Sequence, residues 1–193
     1  MFLALYYSQS LNDMGSCIYV VSFGSVESRL LIACAKNIKE IFSLEVRISS
    51  VRLPLNFDRN RYKASDFLSH LRDIHFPHMV RLLALVSFDI YEEGFNFVFG
   101  VAQEDKAVVS LFRLHHSEET VFFERVFKEV NHELGHTFGL KHCHSQKCVM
   151  RFSNSVKEVD IKSKYFCKNC LSVLTVSLEP YRRYPWNCDK KPC

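Results

Sequence analysis

Three absences narrow this chain before any motif is read. It has no internal repeat and no low-complexity segment, which sets aside solenoids and structureless arrays. Its 25 basic and 21 acidic side chains leave a formal net charge of +4, and they are interspersed rather than gathered into a basic stripe. Electrostatics alone therefore gives no case for nucleic acid or a membrane surface as partner. The apolar opening, Met1 to Tyr7, lacks a positive n-region and is far shorter than the roughly 20 residues a membrane helix needs. Neither a secretory leader nor a membrane span is expected. Residues 1–14 read as an N-terminal extension, and Met14 is a second candidate initiator, which would leave residues 1–13 upstream of the start.

What is present points to one packed domain. A length of 193 residues suits a single domain, and 48% hydrophobic content with 17 Phe supplies a sizeable core. Eight cysteines would suggest disulfides in a small secreted protein. Cys17, at the start of an apolar run, and Cys34, on the apolar face of a helical pattern, read instead as small core hydrophobes. Cys188 and Cys193 fall in a polar C-terminal stretch, and their pairing is left open.

The stretch His132-Glu133-Leu134-Gly135-His136-Thr137-Phe138-Gly139-Leu140-Lys141-His142 carries the most chemistry. Two histidines four apart share one face of a helix, so both imidazoles can reach one ion. Glu133, beside the first, is placed to act on a water held by that ion. Gly139 lets the chain leave the helix with positive φ, and His142 can then swing back as a third nitrogen ligand. Three protein ligands with an open position is the arrangement of a catalytic zinc, not of a closed structural one.

Cys143, Cys148, Cys167 and Cys170 follow within 28 residues, in two close pairs. Four thiolates so spaced fit a second, closed tetrahedral zinc site that cross-links the end of the active-site segment to the C-terminal region. A redox CxxC is the competing reading, but that motif prefers the start of a helix in a βαβ setting. Thiolate zinc and free core thiols together fit a reducing cytoplasm.

An HExxHxxGxxH motif with Cys directly after its last His, then CxxxxCxM, then CxxC, resembles the archaemetzincin family of zinc metallopeptidases. Phe95 to Gly100, Val108 to Leu111 and Cys148 to Ser155 are similar to that family as well, so the resemblance runs over roughly residues 17 to 173. The 16 residues between Met150 and Cys167 are one fewer than the family pattern. The resemblance implies a metzincin-like catalytic domain over residues 15–180, with an N-terminal subdomain (15–140) and a small C-terminal subdomain (141–180) below a horizontal cleft. It implies two zinc ions per chain, one catalytic and one structural. Peptides or proteins become the expected substrate, with aminopeptidase action suggested. Met150 then corresponds to the methionine of the metzincin Met-turn, packed beneath the histidines, since a thioether is a poor zinc ligand beside three imidazoles.

Periodicity supplies the frame. Strands are expected at Cys17–Phe23, Leu44–Val51, Leu82–Phe88, Phe95–Val101 and Lys106–Phe112. Helices are expected at Val26–Phe42 and Ala64–Ile74, and from about Ser117 through the histidines. That order gives an α/β (α+β) fold, a twisted mixed five-stranded sheet backed by helices. Pro54 to Arg61 reads as a loop and Leu171 to Leu178 as a helix or strand. Residues 181–193 end a polar, proline-containing stretch from Glu179 that reads as a mobile tail. Phe95 to Phe99, with Phe97 and Phe99 as substrate contacts, either forms a rim strand against which a peptide lies or is plain core. His144 reads as a surface residue beside the site, and His115 and His116 as solvent groups in a connection.

Three functions follow from these residues: a zinc metallopeptidase, a non-catalytic zinc-dependent binding module on the same fold, and a zinc-stabilised adaptor. Glu133 favours the first over the second, because a metal scaffold needs no carboxylate there. The mild charge disfavours the third. A monomeric enzyme is the expected form.

Overall fold

The computed structural model describes residues 15–53 and 61–182. The expected N-terminal extension, most of the Pro54 to Arg61 loop, Cys188, Cys193 and the tail beyond Arg182 lie outside the described residues. In chain order the elements are β1 (Cys17–Phe23), α1 (Ser28–Phe42), β2 (Glu45–Ile48), β3 (Arg61–Lys63), α2 (Ala64–Leu71), β4 (Met79–Val86), β5 (Asp89–Tyr91), β6 (Gly100–Gln103), β7 (Lys106–Ser110), α3 (Glu119–Thr137), α4 (Val156–Ile161) and α5 (Lys168–Arg182). The mixed five-stranded sheet has the order β2-β1-β4-β7-β6. β2, β1, β4 and β7 run parallel, and β6 returns antiparallel along β7 as an edge. β3 and β5 form a small parallel pair of their own.

The two central strands are apolar apart from Ser22 in β1 and Arg81 in β4, because both sheet faces are covered. On β1, Ile18 and Val20 point into the layer formed with Leu30, Cys34 and Ile38 of α1 and Val126, Val130 and Leu134 of α3. Cys17, Tyr19 and Val21 point the other way, onto Phe67, Leu68 and Leu71 of α2. Cys17 and Cys34 are both buried free thiols, as small core hydrophobes should be.

Several boundaries differ from the periodicity, each for a local reason. Phe95 to Phe99 is not strand; β6 begins only at Gly100. The chain turns at Glu92–Phe95, with Gly94 at φ +81 and the Phe95 N–H donating to the Glu92 carbonyl, so pairing with β7 starts late. The second expected strand shortens to Glu45–Ile48, and the helix from Ala64 stops at Leu71. Arg61–Lys63 and Asp89–Tyr91 form a short parallel pair that no apolar period announces. After Met150 the sequence shows little apolar period, yet α4 forms there on a capping box. Ser155 accepts from the Glu158 N–H, and Glu158 reaches back to the Asn154 N–H. α5 continues to Arg182, past the expected start of the tail. Tyr181 is packed, its ring 6.1 Å from Phe138 and its hydroxyl accepting from Arg81 at 3.4 Å. No helix among the described residues is long and apolar enough to cross a membrane.

Candidate active site

α3 carries the first two histidines into the space beneath β6. Its Val126, Val130 and Leu134 side packs on the sheet, which leaves His132, Glu133 and His136 to line a cleft of about 700 Å³. The upper rim is Gly94 to Ala102, and Phe152 to Asn154 lie on the other side. Past Thr137 the helix ends in a tight turn. Gly139 adopts φ +87, and the Leu140 N–H returns to the Gly135 carbonyl. A left-handed residue is needed there, and glycine adopts it without steric cost. The turn brings His142 back so that its ring centroid lies 4.8 Å from that of His136 and 5.3 Å from that of His132.

The tautomers follow from the backbone. His132 Nδ1 faces the Val149 carbonyl at 2.8 Å, and His136 Nδ1 faces the Leu140 carbonyl at 2.8 Å. A carbonyl only accepts, so both Nδ1 atoms donate their protons and both Nε2 atoms of the neutral rings are lone pairs. Those two lone pairs stand 3.1 Å apart. They cannot hydrogen-bond to each other, and a shared cation is what reconciles them. Zinc at about 2.0–2.1 Å from each nitrogen, in tetrahedral geometry, puts two ligand nitrogens about 3.3 Å apart. Burial holds the imidazoles neutral: His132 lies well below its ordinary pKa, and His136 and His142 are also depressed, each chiefly by desolvation. The donor set therefore fits zinc.

Glu133 is buried, and burial pushes its carboxyl well above the usual carboxylate range. The Glu129 carboxylate, one turn earlier, raises it further, while the Lys162 ammonium opposes. A divalent cation at the imidazoles would also favour the charged form. Met150 is fully buried under the helix, against Gly135. A Cβ on Gly135 would stand 2.5 Å from Met150 Sδ. The Cys143 N–H donates to the Met150 carbonyl at 2.9 Å, tying the residue after His142 to the same turn.

The four sulfurs of Cys143, Cys148, Cys167 and Cys170 lie within 4.8 Å of one another, so the one-residue-shorter loop still lets them meet. Cys143 and Cys167 Sγ are 3.8 Å apart. That is the separation two thiolates take at about 2.3 Å from a tetrahedral zinc. Backbone N–H groups aim at the cluster: Ser145 donates to Cys143 and Cys167 to Cys148. The Cys170 backbone hydrogen bond is the main cause that lowers Cys167 to about 7. CxxC opens α5, so the helix-start position is present, but with two further sulfurs in reach.

Other expected residues fall into place or out of it. Phe97 lines the cleft half-buried. Phe99 also borders it but is a core residue, 4% exposed. His144 is exposed and outside the histidine group. His115 and His116 line a separate cavity at the start of α3. Sequence reasoning missed a polar strap. Arg125 holds Asp160 through two bonds of 2.8 Å, Lys128 donates to the Val159 and Asp160 carbonyls, and Asn131 donates to the Lys164 carbonyl. Lys162 sits 2.9 Å from Glu129 with both side chains buried. The signal was the polar 125, 128, 129, 131 spacing on a helix whose other face is apolar.

The fold and the site together define a metal-dependent peptidase, with a cleft under an edge strand and three imidazoles beside a buried carboxylate. Comparison makes it more particular. The model of peptidase family M54 matches residues 21–176. The archaemetzincin of Saccharolobus solfataricus is 39% identical over 165 residues, covering 79% of this chain and 90% of that protein. That of Pyrococcus furiosus is 38% identical over 179 residues, covering 83% and 93%. The crystal structure of the Methanopyrus kandleri archaemetzincin superposes with a TM-score of 0.77 at 37% identity, covering 86% of this chain and 96% of that one. The Archaeoglobus fulgidus structure, complexed with malonate, gives 0.70 at 39% identity, covering 81% and 99%. The chain belongs to peptidase family M54 and is a zinc metallopeptidase.

Proposed function

We propose that His132, His136 and His142 hold the catalytic zinc, that Glu133 is the general base, and that the four cysteines hold a second, structural zinc. The observation that carries the catalytic site is the pair of Nε2 atoms 3.1 Å apart on rings whose Nδ1 atoms each face a backbone carbonyl at 2.8 Å. When bound, zinc supplies Lewis acidity, polarising a peptide carbonyl and lowering the pKa of water to about 7. Glu133 takes the proton of the attacking water and passes it to the leaving amine. The Val149 and Leu140 carbonyls hold the two helix imidazoles in the ligating tautomer. The free edge of β6, rather than Phe95–Phe99, is the strand a substrate can extend. Met150 sets the height of the helix above the turn. Action at an amino terminus is the finer reading that the family resemblance implies. Free Cys17 and Cys34 and the thiolate cluster support a reducing, cytoplasmic setting.

Peptide-library digestion by zinc-loaded protein tests the reading, with Glu133→Ala beside it. The wild type should cleave, and the variant should retain zinc while losing at least 10²–10⁴-fold in rate, about the contribution of a general base. Free amino termini on the remaining fragments show which end is attacked. A variant as fast as the wild type would overturn the mechanism. A wild type that binds peptides and never cuts them would favour a non-catalytic binding module.

A further inference from the structure

Of the three imidazoles, His142 is the one whose ring takes no hydrogen bond among the described residues. His132 and His136 are each held through Nδ1 by a backbone carbonyl, whereas the His142 ring meets only the rings of His132, His136 and Phe152. A ligating histidine is ordinarily oriented by a partner on its second nitrogen. Without one, His142 is aimed by the path of its own backbone. Beyond His142 that path is tied by the Cys143 N–H on the Met150 carbonyl. Packing does not confine the turn before it, since a Cβ added at Gly139 would meet nothing within 4 Å. The turn is held instead at its root, where α3 ends, by a residue 56 positions before Thr137.

That residue is Arg81, in the middle of the otherwise apolar β4. Its register partner on β1 is Ile18, so its side chain leaves the sheet on the face that α3 covers. Arg81 Nε donates to the Thr137 carbonyl at 3.0 Å, and its guanidinium lies 4.1 Å from the centroid of the Phe138 ring. The same group reaches α5, 5.4 Å from the Tyr181 ring centroid, and donates to the Tyr181 hydroxyl at 3.4 Å. None of these partners is a carboxylate, so the charge is spent on a helix end and two rings. A cation there satisfies a terminal carbonyl and stands at the negative end of the helix dipole. Phe138 is also stacked on Phe42 of α1 at 5.5 Å. The two residues before Gly139 are thus pinned to the sheet, with α1 and α5 closing over them.

Resting on the metal assignment above, we infer that Arg81 is a positioning residue for the catalytic zinc. By pinning the exit of α3 it sets where His142 stands. It also steadies His136, because the Leu140 carbonyl that faces His136 Nδ1 belongs to the same turn. Arg81 does not line the cleft, so it acts through the turn and not on a substrate.

Three variants test this. Arg81→Met keeps an unbranched side chain and removes the planar charge. Arg81→Lys returns a charge and a donor without the planar fork. Leu68→Ala opens a cavity on the opposite face of the sheet and controls for lost stability. Circular dichroism and thermal unfolding verify folding. In chelator competition, Arg81→Met should keep zinc in the cysteine cluster and bind the histidine zinc about 10–100-fold more weakly, the usual effect of losing an outer-shell partner. Arg81→Lys should recover most of that affinity, and Leu68→Ala should match the wild type. With zinc saturating, kcat of Arg81→Met should fall while KM holds. In the zinc-free protein, the Gly139 and Leu140 amides of Arg81→Met should exchange hydrogen faster, while those of Val130 and Leu134 stay protected. Arg81→Lys should show the same signs at smaller size, which keeps the test alive if Arg81→Met does not fold. Exchange needs neither metal nor peptide. A wild type that leaves the histidines empty of zinc would therefore break the metal assignment, and unchanged Gly139 and Leu140 exchange would break this inference. Histidine-zinc affinity unchanged in folded Arg81→Met, or lowered equally in Leu68→Ala, would also overturn it.

Discussion

A Cβ on Gly100 would stand 2.5 Å from Glu133 Cγ and 2.8 Å from its Oε1, so the edge strand rests directly on the candidate base. The same Cβ would meet the Val108 carbonyl oxygen at 2.8 Å, and that atom belongs to the paired strand and cannot swing away. Gly100→Ala should therefore push Glu133 out of place and strain the β6–β7 ladder, costing about 1–3 kcal/mol of stability. Peptide cleavage should fall further than stability alone explains. Urea unfolding and kcat/KM on the zinc-loaded variant check this, and unchanged values in both would contradict it.

The strap beneath the cleft yields a second prediction. Lys162 Nζ lies 2.9 Å from Glu129 Oε1, off the hydrogen-bond direction, and donates instead to the Arg151 carbonyl. Both side chains are buried, so removing one leaves a buried charge alone. Lys162→Met should cost about 3–5 kcal/mol, whereas replacing both partners by apolar residues should recover much of that. Unfolding of the single and double variants measures it. A double variant as unstable as the single would show that the ion pair is not what matters.

Acid sensitivity of the metal-free protein has a definite sign. The folded pKa values of His132, His136 and His142 are depressed. The unfolded chain thus takes up protons first, near pH 6.5. The stability these rings contribute is fully present above about pH 6.5 and is lost as pH falls from there toward the folded values. Glu133, whose folded pKa is raised, acts with the opposite sign, losing stability as pH rises through that raised value. His132→Gln isolates the imidazole part. Chelated wild type should lose denaturant resistance between pH 7.5 and 5.5, and the variant should lose less. Equal slopes would refute the assignment of neutral buried rings.

Metal content should divide between the two donor sets. His136→Ala should hold one zinc in the cysteine cluster. Cys170→Ser should lose that zinc and weaken, without abolishing, the other, since Cys143 connects the cluster to His142 and Met150. Metal analysis of the purified variants reads this out. Loss of all zinc in His136→Ala would contradict two separate sites.

Much of the site was legible because its spacing is local. His132 and His136 share a helix face, Gly139 turns the chain, and the cysteines come in close pairs. The two buried strands, Cys17–Phe23 and the run from Leu82, were legible because both sheet faces are covered. What stayed hidden is set by distant partners. Phe95–Phe99 has strand composition, but the turn at Gly94 and the stacking of Phe97 under Arg113 take it off the ladder. α4 rests on a cap and on Lys128 satisfying its last carbonyls, which no apolar period announces. Glu129 and Lys162 are 33 residues apart, and nothing local in the sequence joins them.

Anomalous diffraction at the zinc edge, on crystals of the zinc-loaded protein, tests the central claim most directly. It should show one ion about 2.0–2.1 Å from Nε2 of His132 and His136 and a nitrogen of His142, with no fourth side chain bound, and a second among the four Sγ atoms at about 2.3 Å. A single ion, or a fourth protein ligand closing the histidine site, would contradict it.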